Sequence, residues 1–193
     1  MAPAGLLASW AAALFAAWAF IGGLAAQSPG HPARRSAQRA LVASAVAAAG
    51  ATAVMLALLL SGDVTVSYVA RSIARNVPAP YRLAAIWNLP AGAVLPTAAL
   101  VALTGSLASV RARGSLGVAV AGAIVMSLCA ASLAAAPFTT LPWIPTEGLG
   151  LAPVLQNAWS VAGRMALVAA IALATVASVA AADRLAQGGA TAA

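Results

Sequence analysis

Apolar positions in this chain neither alternate nor fall on a single helical stripe; they run on for twenty residues or more at a time. Five such runs stand out, at residues 5–26, 40–61, 83–110, 115–136 and 158–182. A helix needs roughly 20 apolar residues to cross about 30 Å of hydrocarbon. The pattern therefore predicts an all-α integral membrane protein of about five transmembrane helices, forming one membrane domain over residues 1–193. The third run is interrupted by Pro90 and Pro96, and the fifth carries one charge, Arg164. The first run has no Arg or Lys ahead of its apolar core, which suits a retained helix better than a signal peptide.

Composition strengthens the membrane reading. The 193 residues are 63% hydrophobic and only 7% charged, where a soluble domain carries roughly a quarter charged residues. Ten basic residues, all arginine, face three acidic ones, but they are scattered and aromatics make up 5%. No basic patch is interleaved with stacking rings, so nucleic acid is not a predicted partner. Arg34, Arg35 and Arg39 follow the first run, Arg111 and Arg113 the third, and Arg184 the fifth; Arg71, Arg75 and Arg82 lie in the connection after the second. The positive-inside rule then puts the N-terminus outside and the C-terminus in the cytoplasm.

The two connections expected outside are unusual. Val64, Val66, Tyr68, Val69 and Ile73 with Arg71 and Arg75 make a short, loosely amphipathic stretch suited to the membrane interface, closed by Pro78 and Pro80. The connection before the fifth run holds Pro137, Pro142, Pro145 and Pro153 with Phe138 and Trp143. It cannot be one continuous helix, but it can pack as a structured loop. Glycines such as Gly117 and Gly122 among alanine runs suit close helix packing, or simply fill lipid-facing positions cheaply. Pro90 and Pro96 either kink a structural helix or free carbonyls for a substrate.

Chemical constellations are nearly absent. There is one cysteine, Cys129, and one histidine, His31, which excludes an internal disulfide and any site needing two histidines from this chain. No catalytic set, metal set or phosphate-binding glycine loop is present. Asp63 and Glu147 fall at the outer interface, as solvated caps or arginine partners. Arg164 sits about one and a half turns into the fifth helix, where a charge is costly unless it snorkels or is paired. It either reaches the outer interface or Glu147, or binds an anion such as a heme propionate.

The loop sequences carry a resemblance. The run GDVTVSYVARSIARNVPAPYRLAAIWNLPAGAVLP, residues 62–96, resembles a stretch of the cytochrome c maturation heme lyases of the CcmF and NrfE type. Asp63, Val66, Tyr68, Val69, Ala70, Pro78, Tyr81, Arg82, Trp87, Gly92 and Leu95 fall at matching places. A second run, Pro137-Phe138 and then PTEGLGLAPVLQ, is similar to that family's NPF and P-x-DG-x-x-LNPLLQ loop through Pro145, Glu147, Gly148, Leu151, Pro153, Leu155 and Gln156. The resemblance implies the N-terminal third of that fold. Where the family carries a His-Pro-Pro element implicated in holding heme, this chain has Gly163, Arg164 and Met165.

The resemblance and its departures together imply a CcmF-like membrane subunit without catalytic residues of its own. An accessory or split component of c-type cytochrome maturation is one expectation; a structural subunit of a respiratory or photosynthetic membrane complex is the alternative, and a transporter a third. No cofactor is expected on this chain alone, with heme only where a partner supplies ligands. The expected partners are membrane lipid and other integral membrane subunits, in a bacterial inner (plasma) membrane. The docking candidates are Tyr68, Trp87, Phe138, Trp143, Glu147 and Gln156, the rings also suiting a plain interfacial belt.

Overall fold

A computed structural model describes residues 1–26, 32–74, 77–111, 114–143 and 148–190. His31, Arg75, Arg113, Pro145 and Glu147 lie outside the described residues. Five helices are long and apolar enough to cross a membrane: α1 (Ala2–Ala25), α2 (Ala33–Ser61), α5 (Pro90–Arg111), α6 (Leu116–Ala134) and α7 (Ala158–Ala190). Two short helices, α3 (Ser67–Ser72) and α4 (Ala79–Ala84), and 3-10 turns at Ala85–Trp87 and Pro153–Gln156 occupy the connections. The protein is an all-helical, multi-pass membrane protein.

Helix limits depart from the apolar runs for identifiable reasons. The second helix starts seven residues before residue 40, taking in Arg34, Arg35 and Arg39, because arginine is a good helix former and only the bilayer, not the helix, needs apolar residues. The last helix runs past residue 182 through Asp183, Arg184 and Gln187 for the same reason. The third run is not one kinked helix from residue 83. Leu83 and Ala84 end α4, a 3-10 turn follows, and Pro90 opens α5, where its missing N–H and fixed φ suit the first helical turn. Pro96 alone lies inside the helix.

The helices α1, α2, α5 and α6 touch in a ring in that order, with α6 closing on α1, and α7 lies along the α5–α6 edge. Their shared core is mostly alanine, with Leu41, Val101, Val125 and Cys129. Lipid is as apolar as a leucine side chain, so helices associate through close packing and interhelical hydrogen bonds. Gly122 shows the close approach: a Cβ there would run into the backbone of Ala19 and Phe20 on α1. Ser44 on α2 donates to the Ala12 carbonyl at 2.8 Å.

A second apolar cluster sits at the end of the bundle where the long connections gather, called here the loop end. Met55, Leu58 and Leu59 of α2 pack with Val66, Tyr68, Val69, Ile73, Ile86, Leu95 and Phe138. In the stretch expected to suit the membrane interface, the apolar side of α3 is covered by protein.

Candidate functional site

Two connections of irregular composition build one cap on the loop end. Ser67 N–H donates to the Thr139 carbonyl at 2.8 Å and Leu141 N–H to the Thr65 carbonyl at 2.8 Å, which closes an antiparallel bridge between Val66 and Thr140. Leu149 N–H donates to the Ala70 carbonyl at 2.9 Å. Asn88 spans both connections, with Nδ2 donating to the Arg71 carbonyl at 3.4 Å and Oδ1 accepting from Ala152 N–H at 3.0 Å. Backbone groups in an irregular segment need partners wherever water is excluded, and each connection here supplies them for the other. Gly148 has no room for a side chain, because a Cβ would collide with the Ile73 carbonyl.

Tyr68 organises the centre of the cap. Its ring is buried, 3% exposed, and its hydroxyl lies 2.8 Å from the Ile86 carbonyl and 3.0 Å from that of Ala85, to which it donates. Leu89 N–H donates to it at 3.5 Å. The hydroxyl therefore ties down the 3-10 turn that leads into α5. Burial pushes the phenol up to about 12, opposed by the Leu89 hydrogen bond and the positive charge of Arg164.

Two arginines hold the cap to the bundle through carbonyls. Arg82 donates from Nε to the Val77 carbonyl and from Nη1 to the Leu60 carbonyl, both at 2.8 Å; the second contact puts a cation at the C-terminal turn of α2, where the helix dipole favours it. Arg164 on α7 donates from Nη1 to the Trp87 carbonyl at 2.5 Å. Its side chain reaches the 3-10 turn and ties the last helix to the first connection. Asp63 accepts from Thr65 N–H at 3.2 Å and from the Thr65 hydroxyl at 2.5 Å, a local turn.

The predicted docking residues divide. Tyr68 and Phe138 are corrected from surface to interior: Phe138 is 5% exposed, with its ring against Gly5 of α1. An aromatic ring beside a glycine fills the space the missing side chain leaves, which a linear reading cannot see. Trp87 is half-buried and packs on the loop-end cluster. Trp143 is 65% exposed and Gln156 is exposed. Sequence reasoning missed Leu149 and Val154, both exposed, for which large apolar residues in a proline- and glycine-rich connection were the available signal, and Trp159, exposed in the first turn of α7. It also missed Asn88, the one polar side chain between Trp87 and Pro90, and Asp183, a buried carboxylate at the far end. Asp183 accepts from Gly114 N–H, and from Gln187 Nε2 at 2.9 Å. Among the described residues, no group of three His, Cys, Asp or Glu side chains is placed to hold a metal ion.

Fold and cap together define a helical membrane protein whose distinctive part is an interlocked surface at one end. Among solved structures the chain is similar to the cytochrome c heme lyase CcmF, with a TM-score of 0.65 and 28% sequence identity over 72% of this chain and 25% of that one. The chain thus spans about a quarter of that protein's length. No family model matches the chain, and no curated protein matches it.

Proposed function

We propose that this chain is a non-catalytic component of c-type cytochrome maturation, an accessory or split subunit that docks an integral membrane partner on its cap. The carrying observation is the likeness to the heme lyase CcmF at 28% identity. The loop residues that carry the sequence resemblance serve the same cap: Tyr68, Trp87, Gly92 and Gly148 meet there through the contacts described above. A chain that keeps the internal keystones of this cap keeps its outer shape. Trp143, Leu149 and Val154 lie on that outside, as large apolar side chains exposed beyond the membrane-spanning helices. In this reading these side chains are the ones that a partner covers.

Heme ligation belongs, in this reading, to a partner. The residues present do not fit an axial ligand set: the sequence has one histidine, His31. At the position of the family's His-Pro-Pro element, Gly163 borders open space, Arg164 is engaged with the Trp87 carbonyl, and Met165 is exposed on α7. We assign the cap to the outer face of a bacterial inner membrane and Arg34, Arg35, Arg39, Arg111 and Arg184 to the cytoplasmic side, on the positive-inside rule. Tagged purification from native membranes with mass spectrometry tests the reading. Cytochrome maturation subunits in the complex support it; an oxidase or photosynthetic complex would replace it with a scaffold role there.

A further inference from the structure

At the end of the bundle remote from the cap, an open groove of about 460 Å³ lies between α5 and α7. Its walls are two stripes at helical spacing, Leu107, Ala108 and Arg111 on α5 and Val176, Ala180 and Arg184 on α7. Each stripe is apolar within the span and ends in an exposed arginine at the same end of the bundle. Among the described residues neither guanidinium has an ion-pair partner. The one acid in the wall, Asp183, is buried, with its carboxylate oxygens engaged by Gly114 N–H and Gln187. With two guanidiniums against one carboxylate the mouth carries a net positive charge, and the floor is apolar.

We propose that this groove binds an anionic phospholipid, with an acyl chain along the α5–α7 seam and the phosphate between Arg111 and Arg184. The rise from Val176 to Arg184 is about 12 Å, most of the roughly 15 Å that one leaflet contributes to the hydrocarbon core. Arginine stems lie along apolar surface while their heads reach the headgroup layer, and basic pockets between membrane helices suit anionic headgroups. A free phosphate would meet the two arginines but leave the apolar floor uncovered.

Native mass spectrometry of the purified full chain, offered phosphatidylglycerol or phosphatidylcholine with the same acyl chains, tests this. The wild type should retain phosphatidylglycerol preferentially. Arg111→Gln and Arg184→Gln should each cut that retention roughly fivefold, and the pair about 25-fold. Ala180→Trp, which fills the groove without touching a charge, should abolish retention of either lipid. Arg35→Gln with Arg39→Gln, at the same end but off the groove, should leave it unchanged. Equal retention of the two lipids by the wild type, an equal loss in the Arg35/Arg39 variant, or displacement by excess inorganic phosphate would overturn the proposal. If Ala180→Trp loses its helical circular dichroism, the wild-type lipid comparison and the arginine variants decide alone.

Discussion

The α-carbon of Gly92 and the hydroxyl of Tyr68 are packed so closely that no side chain fits between them: a Cβ on Gly92 would collide with the phenol oxygen and the Ile86 carbonyl. The two residues come from different helices, α3 and α5, and their contact fixes where α5 begins. Gly92→Ala should therefore destabilise the protein by about 1–3 kcal/mol, the cost of overpacking a filled site. Thermal unfolding in detergent micelles checks it. Gly50, which borders open space on α2, supplies the control, since alanine there should be neutral or stabilising.

Arg164 bears on the same turn through the Trp87 carbonyl. Losing its contact with the Trp87 carbonyl should cost about 1.5–3 kcal/mol, the range for a hydrogen bond to a charged group. Arg164→Gln should lower the unfolding midpoint, and Arg164→Lys should restore it partly, since a single ammonium keeps the charge and loses the planar fork. An arginine held in place for a heme propionate alone would show no such stability loss in the heme-free chain.

Phe138 and Trp143 stand five residues apart in one connection and should behave oppositely. Phe138→Ala empties a buried site against Gly5 and should cost about 3–5 kcal/mol. Trp143→Ala removes an exposed ring and should change stability within about 0.5 kcal/mol, while weakening partner association by about 1–4 kcal/mol. Unfolding curves and retention in the native complex separate the two effects.

Tyr68 should titrate late. In a Tyr81→Phe background it is the only tyrosine, and its phenolate absorbance should rise with a midpoint near 12 in the folded chain, against about 10 when denatured. A phenol whose folded value is raised favours the folded state below the unfolded value and loses that contribution as pH rises towards the folded one. Stability should therefore fall between about pH 10 and 12 in the Tyr81→Phe chain, and this component should be absent when Tyr68 is also phenylalanine.

The five spans were legible because crossing a bilayer is a demand on length and apolarity that each run meets by itself. Their limits were not, since Arg34 to Arg39 and Asp183 to Gln187 continue helices beyond the apolar runs, and Pro90 opens a helix that composition alone extends backwards. The cap was legible only as irregular composition. That Tyr68 and Phe138 are interior depends on Gly92, Gly5 and the pairing of Val66 with Thr140, contacts between residues far apart in sequence. A linear pattern holds no trace of them. Arg164 was visible as an expensive charge, but its acceptor is a backbone carbonyl, which every residue carries and no sequence distinguishes.

The most direct test of the cap as a docking surface is photo-crosslinking in native membranes. A photoreactive phenylalanine analogue would be placed at Trp143, at Val154 and, for comparison, at Leu103, which is exposed on α5 within a membrane-spanning helix. Positions 143 and 154 should capture the same integral membrane protein of the cytochrome maturation machinery, and position 103 should not. Capture from position 103 alone, or capture at the cap of an oxidase or reaction-centre subunit, would contradict it.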